Sequence, residues 1–340
     1  MVSRAQASKT YRAEGAIRMA AIRKLRAVNG PAITLMNTVD SSSIPLSFEF
    51  VNESVLGEGV YKAPRETVLG CNKCRPQMGQ GVGCEYTQRC DCLEYAPVNT
   101  ATLNPVQQAK FDAGEYNELP KRFPYYSPNS VRSGLLINFY LEKRHPIYEC
   151  NEDCPCGPVC KTRVVQKGRQ IPLQIFKTKD RGWGLKSTVD LRQGQFIDTY
   201  RGEILTDEET GRREEAAGPG KDSYLYALDK FPESLPQGEE FFVVDGEYMG
   251  GPSRFMNHCC DPNCKQYTVS YNKNDNRVYE IAFFACRDIP KGEELTFDYL
   301  DKDYEDEAEI EGASGQKQAD GDNYIPCRCG AERCRGKLWV

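Results

Sequence analysis

Sixteen cysteines crowd this chain of 340 residues, and nine of them fall into two tight groups. The first is Cys71-x2-Cys74-x9-Cys84-x5-Cys90-x-Cys92, and the second is Cys150-x3-Cys154-x-Cys156-x3-Cys160. Spacings this short are those of thiolates gathered on metal, with zinc the expected ion. His145 and His258 are the only histidines, so mixed cysteine-histidine fingers are nearly excluded and the sites must be all-thiolate. Nine is an awkward number for separate four-thiolate sites. A triangle of three zincs needs twelve metal–sulfur bonds, which six terminal and three bridging thiolates supply. The alternative is two ordinary sites and one spare thiol. In either case the metals are saturated and structural, holding loops with little hydrophobic core of their own.

No charged segment followed by an apolar one, and no run of about 18 apolar residues, is found, which argues against secretion and membrane spanning. The chain is therefore expected inside the cell, where thiols stay reduced. A secreted disulfide framework is the rival, and it predicts no bound metal. The net charge of −5 provides no global basic field for bulk nucleic-acid binding. Charge is nonetheless segregated. Residues 1–30 carry Arg4, Lys9, Arg12, Arg18, Arg23, Lys24 and Arg26 against Glu14 alone, with Ile17, Ala21, Leu25 and Val28 near helical spacing. This basic helix is a candidate contact for nucleosomal DNA or an import signal; a solvated helix packing one face on the domain explains it equally well. Ser41 to Pro45 reads as a linker. Residues 93–149 form an insertion without evident chemistry, in which Pro124 to Pro128 is a turn and Leu135 to Leu141 a short apolar helix or strand.

From Pro172 the texture changes to short β-branched and aromatic runs broken by turns: Leu173 to Phe176, Gln195 to Tyr200, Phe241 to Val244, Tyr267 to Tyr271 and Val278 to Phe284. This pattern predicts several small antiparallel sheets rather than a βαβ sheet. One helix interrupts them, opened by a capping box of Thr206 and Glu209 and ended at Gly218 to Gly220. The turn Arg181-Gly182-Trp183-Gly184 suits a backbone that approaches a small adenosyl ligand, and no GxGxxG or P-loop points to a nucleotide polyphosphate. Residues 301–326 hold nine acids against Lys302 and Lys317 and read as a tether. The chain ends on Cys327-x-Cys329-x4-Cys334, with no fourth thiol nearby in sequence.

Taken together, the nine-cysteine region, Arg181-Gly182-Trp183-Gly184, Tyr200-Arg201-Gly202-Glu203, Tyr224 to Asp229, the loop Arg254 to Cys264 and the run Glu294 to Tyr299 occur in one order. With the terminal cysteines, this set resembles the SET-domain protein lysine methyltransferases, and most of all the short fungal histone H3 lysine-9 enzymes of the Su(var)3-9 class. The resemblance spans roughly residues 45 to 340. It implies a mainly β SET fold of small antiparallel sheets with a knot-like C-terminal crossing, in which the Asn-His loop and the C-terminal strand thread one another. The division it implies is a basic N-terminal helix and linker at 1–45 and a pre-SET zinc-cluster region at 46–168. A SET catalytic domain at 169–300, an acidic tether at 301–323 and a zinc-binding post-SET segment at 324–340 follow.

By the same resemblance, Arg181, Gly182, Trp183, Tyr224, Arg254, Asn257 and His258 bind S-adenosylmethionine, and Leu338 and Trp339 close over it. Cys260, Cys327, Cys329 and Cys334 bind a fourth zinc. Two positions depart from the family: Cys71-x2-Cys74 replaces a pair with one intervening residue, and Cys259 stands where Ser is usual, beside the ligand Cys260. Methyl transfer to a lysine amine is an in-line displacement that asks for alignment and a neutral amine. Since a free lysine has a pKa of about 10.4, a desolvated aromatic channel beside a cationic sulfonium favours the neutral form. Tyr200, Phe297 and Tyr299 are the expected channel walls, and the hydroxyl of Tyr299 is expected to orient the amine. Phe297, lacking a hydroxyl, leaves room for successive methyls and implies a trimethylating enzyme. The expected partner is the histone H3 tail, in nuclear chromatin, with heterochromatic silencing as the outcome. The rivals are a methyltransferase for another lysine and a non-catalytic zinc scaffold. Lys317 is a candidate pseudosubstrate.

Overall fold

The computed structural model describes residues 4–72, 74, 75, 84, 90–218, 223–232, 235, 240–274, 276–300 and 325–338. The chain opens with helix α1 (Arg4–Arg26) and strands β1 (Ile33–Met36), β2 (Glu49–Phe50) and β3 (Val55–Leu56). After the first thiol group come α2 (Pro105–Asp112), α3 (Asn138–Lys143) and β4 (Ile147–Tyr148). The remainder runs β5 (Leu173–Lys177), β6 (Trp183–Ser187), β7 (Phe196–Tyr200), β8 (Glu203–Leu205), α4 (Asp207–Ala217), β9 (Leu225–Ala227), β10 (Val243–Asp245) and β11 (Met249–Gly250). It ends on β12 (Asn257–His258), β13 (Cys264–Ser270), β14 (Glu280–Ala285) and β15 (Glu294–Phe297).

The strands build four small sheets in the orders β1-β5-β6-β15-β12, β3-β8-β10-β9, β11-β2 and β4-β13-β14-β7. The expectation of antiparallel sheets needs a correction. Neighbours such as β5 and β6 or β13 and β14 do run antiparallel. The pairs β1–β5, β2–β11, β3–β8 and β4–β13 are parallel, as is β12–β15. Short turns dictate direction only for strands adjacent in sequence, and β1 to β4 arrive from far upstream. Each sheet thus takes one edge strand from residues 33–148.

β14 is buried on both faces and serves two cores through its period-two alternation. Ile281, Phe283 and Ala285 pack with Leu173, Ile175, Leu185, Ile197, Leu295 and Phe297. Ala282 and Phe284 pack instead with Tyr125, Leu136, Tyr140, Ile147 and Val269, so the segment 93–149 supplies a second core. Helix α1 is held through Ala21 and Leu25, which join the first core, and through Lys24, whose Nζ donates to the carbonyls of Leu46 (2.6 Å) and Phe48 (2.9 Å). The region expected to be only helix and linker therefore also contains β1, whose partner β5 lies more than a hundred residues downstream. In α4 the hydroxyl of Thr206 accepts from the Glu209 N–H at 3.3 Å, but the capping box is half made, because the Glu209 carboxylate turns to Arg212 and Arg213. Gly218, at φ +74°, ends the helix; Pro219 and Gly220 lie outside the described residues. No described helix is long and apolar enough to cross a membrane.

Candidate active site and metal centres

A cleft of about 410 Å³ opens where β6, the loop before β12 and the C-terminal segment meet. Arg181, Gly182, Trp183, Tyr224, Arg254, Asn257, His258, Tyr299 and Leu338 all line it. Trp339, the acidic tether and Lys317 lie outside the described residues. Gly182 turns the chain at φ +69°, a conformation that favours glycine. A Cβ at Gly184 would sit 2.8 Å from Glu294 Oε1 and 2.9 Å from the Phe176 ring, so close packing dictates the second glycine. Glu294 organises this wall: one carboxylate oxygen takes Arg181 Nη2 at 2.5 Å and the other takes Asn257 Nδ2 at 2.8 Å. Asn257 also donates to the carbonyl of Trp183 at 3.2 Å. Opposite, the Arg254 guanidinium lies 3.8 Å over the ring of Tyr224 and donates to the carbonyl of Gly246.

Aromatic rings stand behind the cleft. Phe297 packs 4.8 Å from both Phe283 and Tyr299, and it is buried in the core. The Tyr299 hydroxyl donates to the carbonyl of Met256 at 2.9 Å, which fixes it against the same loop that carries Asn257 and His258. Tyr200 is buried on β7 and donates to the carbonyl of Tyr224 at 2.7 Å. Burial pushes its phenol above the ordinary range, against the pull of the Arg254 charge, so it stays protonated. Tyr200 and Phe297 are set back from the cleft, while Tyr299 faces it.

His258 joins this site to the terminal thiols. Its Nδ1 accepts the backbone N–H of Tyr299 at 3.2 Å, so in the neutral ring the proton is on Nε2, which points at Cys260 Sγ at 3.2 Å. Burial pushes its pKa down to about 4, with Arg335 and Arg181 acting in the same direction and Asp298 opposing. Asp298 Oδ1 lies 3.5 Å from Nδ1. His258 holds no nucleophile; it orients a sulfur on one side and the Tyr299 backbone on the other.

Cys260, Cys327, Cys329 and Cys334 bring their sulfurs within 4.8 Å of one another, although more than sixty residues separate the first from the rest. Nine further thiols, all but Cys259, Cys264 and Cys286 of the remainder, form a buried cluster whose apolar neighbours are Leu93, Ala96 and Phe123. Three four-sulfur groups overlap within it. Cys71, Cys92, Cys150 and Cys154 form one; Cys84, Cys150, Cys156 and Cys160 another; and Cys71, Cys84, Cys90 and Cys150 a third. Cys74 joins the last by contacts of 3.1 Å to Cys84 and 3.7 Å to Cys90. Cys71, Cys84 and Cys150 are the shared sulfurs. All sixteen cysteines are free. Thiolates this close repel strongly in a buried setting unless cations lie among them, so the donor set fits soft divalent metal.

The sequence left some of these partners unmarked. Glu294 was visible only as the start of a motif; its contact with Arg181 comes from the pairing of β15 with β6, which no local pattern announces. Ile325, Pro326 and Arg328 line the cleft from the far side of the acidic segment, and no local pattern singles them out.

Sequence models of two families match this chain: a Pre-SET motif over residues 26–163 and a SET domain over residues 182–300. The histone-lysine N-methyltransferase, H3 lysine-9 specific dim-5 of Neurospora crassa is 39% identical over 320 residues, covering 90% of this chain and 88% of its own. A structure solved to explain the product specificity of histone lysine methyltransferases superposes with a TM-score of 0.70 at 38% identity, over 91% of this chain and 100% of that one. Arabidopsis thaliana SUVH6 in complex with SAM superposes with a TM-score of 0.61 at 27% identity, over 93% of this chain and 55% of that one. With its paired pre-SET thiols, its SET sheets and its Asn-His loop set against β15, the chain belongs to the Su(var)3-9 class of SET-domain histone-lysine N-methyltransferases.

Proposed function

We propose that this protein methylates lysine 9 of the histone H3 tail, through to the trimethyl product, in nuclear heterochromatin. The observation that carries the proposal is the position of Tyr299: it faces the cleft, its ring meets Phe297, and its hydroxyl is held by the loop of Asn257 and His258. S-adenosylmethionine fits the cleft by size and chemistry. Its volume lies in the ~300–1,000 Å³ range of small-molecule sites. The site presents aromatic faces for an adenosyl group and arginine for a carboxylate. When bound, this cofactor supplies an electrophilic methyl on a cationic sulfonium.

Arg181, Gly182, Trp183, Tyr224, Arg254, Asn257, His258 and Leu338 would hold it. Tyr299 orients the incoming amine, and Phe297 and Tyr200 wall a channel dry enough to favour the neutral amine. Zinc is the metal suited to the thiols. Three such ions would be held by the nine thiols, with Cys71, Cys84 and Cys150 shared among the pairs Cys74 with Cys90, Cys92 with Cys154, and Cys156 with Cys160. Cys260, Cys327, Cys329 and Cys334 would hold a fourth ion. The exposed arginines Arg12, Arg18, Arg23 and Arg26 of α1 provide a basic face for nucleosomal phosphates beside the tail.

The experiment is incubation with labelled cofactor and H3 tail peptides, each with one candidate lysine replaced by alanine. Loss of label only with the lysine-9 replacement supports the assignment. Equal labelling of every peptide overturns the site, and no labelling of any overturns the substrate.

A further inference from the structure

The C-terminal segment forms one wall of the cofactor cleft. Cys260, whose sulfur lies within 4.8 Å of those of Cys327, Cys329 and Cys334, would give that segment one tie to the catalytic sheet through a shared metal. A second tie uses no metal. Arg335 lays its guanidinium on the carboxylate of Asp298, Nη1 to Oδ2 at 2.9 Å and Nη2 to Oδ1 at 2.5 Å. The pair is nearly dry, with side-chain exposures of 19% and 10%, which puts it among the stronger charge-assisted bonds.

Its surroundings make it a latch. Asp298 sits between Phe297 and Tyr299, at the end of β15. On the other side the segment folds on itself: Cys327 N–H donates to Gly336 and Leu338 N–H donates to Ile325, at 3.0 and 2.9 Å. Whatever fixes Arg335 therefore fixes Ile325, Pro326, Arg328 and Leu338, which wall the cleft. We infer that Arg335 is a positioning residue whose two-pronged bond to Asp298 holds the C-terminal segment closed over the cofactor cleft, independently of the terminal metal.

The inference rests on the proposed methyl transfer for its kinetic readout but not for its structural one. Losing the latch lowers the closed fraction, and apparent affinity falls in proportion. In the zinc-replete full chain, Arg335→Ala is expected to raise KM for S-adenosylmethionine about tenfold, with kcat within about twofold. Arg335→Lys keeps the charge without the fork and is expected to recover part of the loss. Without cofactor, hydrogen exchange of residues 325–338 is expected to quicken in Arg335→Ala and in Asp298→Asn, with the metal content of wild type. Unchanged KM, unchanged exchange, or a kcat loss without a KM change overturns the latch. Loss of one zinc from Arg335→Ala overturns its independence of the metal. Should Arg335→Ala not fold, Arg335→Lys carries the same two measurements. If wild type labels no peptide, the proposed function fails while the exchange comparison still decides the latch.

Discussion

Replacing a single sulfur distinguishes a shared cluster from separate sites, and Cys150 against Cys160 is the informative pair. Cys150 belongs to all three overlapping groups and lies 3.3 Å from Cys84 and 3.9 Å from Cys160, whereas Cys160 belongs to one. In a triangle, Cys150→Ser leaves two zincs short of a ligand and Cys160→Ser leaves one. Structural zinc contributes roughly 10–16 kcal/mol in small peptides, comparable to the ~5–15 kcal/mol that stabilises a whole domain. Weakening two ions at once is therefore expected to unfold residues 71–160, while weakening one lowers the melting temperature and leaves a folded chain. The assay is elemental analysis after exhaustive dialysis, with thermal melting alongside. About four zincs per chain are expected in wild type, about three in Cys160→Ser and two or fewer in Cys150→Ser. A wild-type value of three, or full metal retention in any one of the nine serine variants, would mark a spare thiol and refute the triangle.

Three further outcomes follow from the active site. Phe297→Tyr adds a hydroxyl to a ring whose centroid lies 4.8 Å from that of Tyr299, and is expected to preserve monomethylation while cutting trimethylation, read by mass spectrometry of the peptide; an unchanged product mixture removes the steric reasoning. Tyr299→Phe deletes the hydroxyl held by Met256 and is expected to lower kcat by about 10²–10³ with the melting temperature nearly unchanged. For pH, the substrate amine is reactive only when neutral, so kcat/KM should climb as pH rises, towards a plateau below about pH 10.4. Because burial pushes the Tyr200 phenol upward, no falling limb is expected before about pH 10, and one appearing there would show that a channel tyrosine ionises.

Much of this was readable from local chemistry. β5, β7, β13 and β14 lie on the apolar runs that announced them, and the α4 cap at Thr206 follows from its hydroxyl. The thiol groups were legible because metal ligands are conspicuous by type and spacing. What stayed hidden depends on distant pairing. Nothing around Ile33–Met36 says it will lie parallel to Leu173–Lys177, because a parallel register carries no turn signal. Asp298 stands within the run Glu294 to Tyr299, yet nothing local announces its pairing with Arg335, which exists only once the terminal segment is folded back. The half-made cap at Glu209 shows the same limit at short range, where two arginines on the next turn outcompete the backbone amide.

The borrowed edge strands bear on how this molecule comes into being. A piece begun at residue 169 would leave β5, β8, β11 and β13 each with an unclothed flank, the condition in which sheets stick to strangers. During synthesis β1 to β4 emerge first and must wait for companions made later, so these long-range pairings form slowly. With three proposed metal sites lying among residues 71–160, between β3 and β5, folding would be tied to metal loading as well, and a cell short of that metal is expected to accumulate insoluble chains rather than a weakened enzyme.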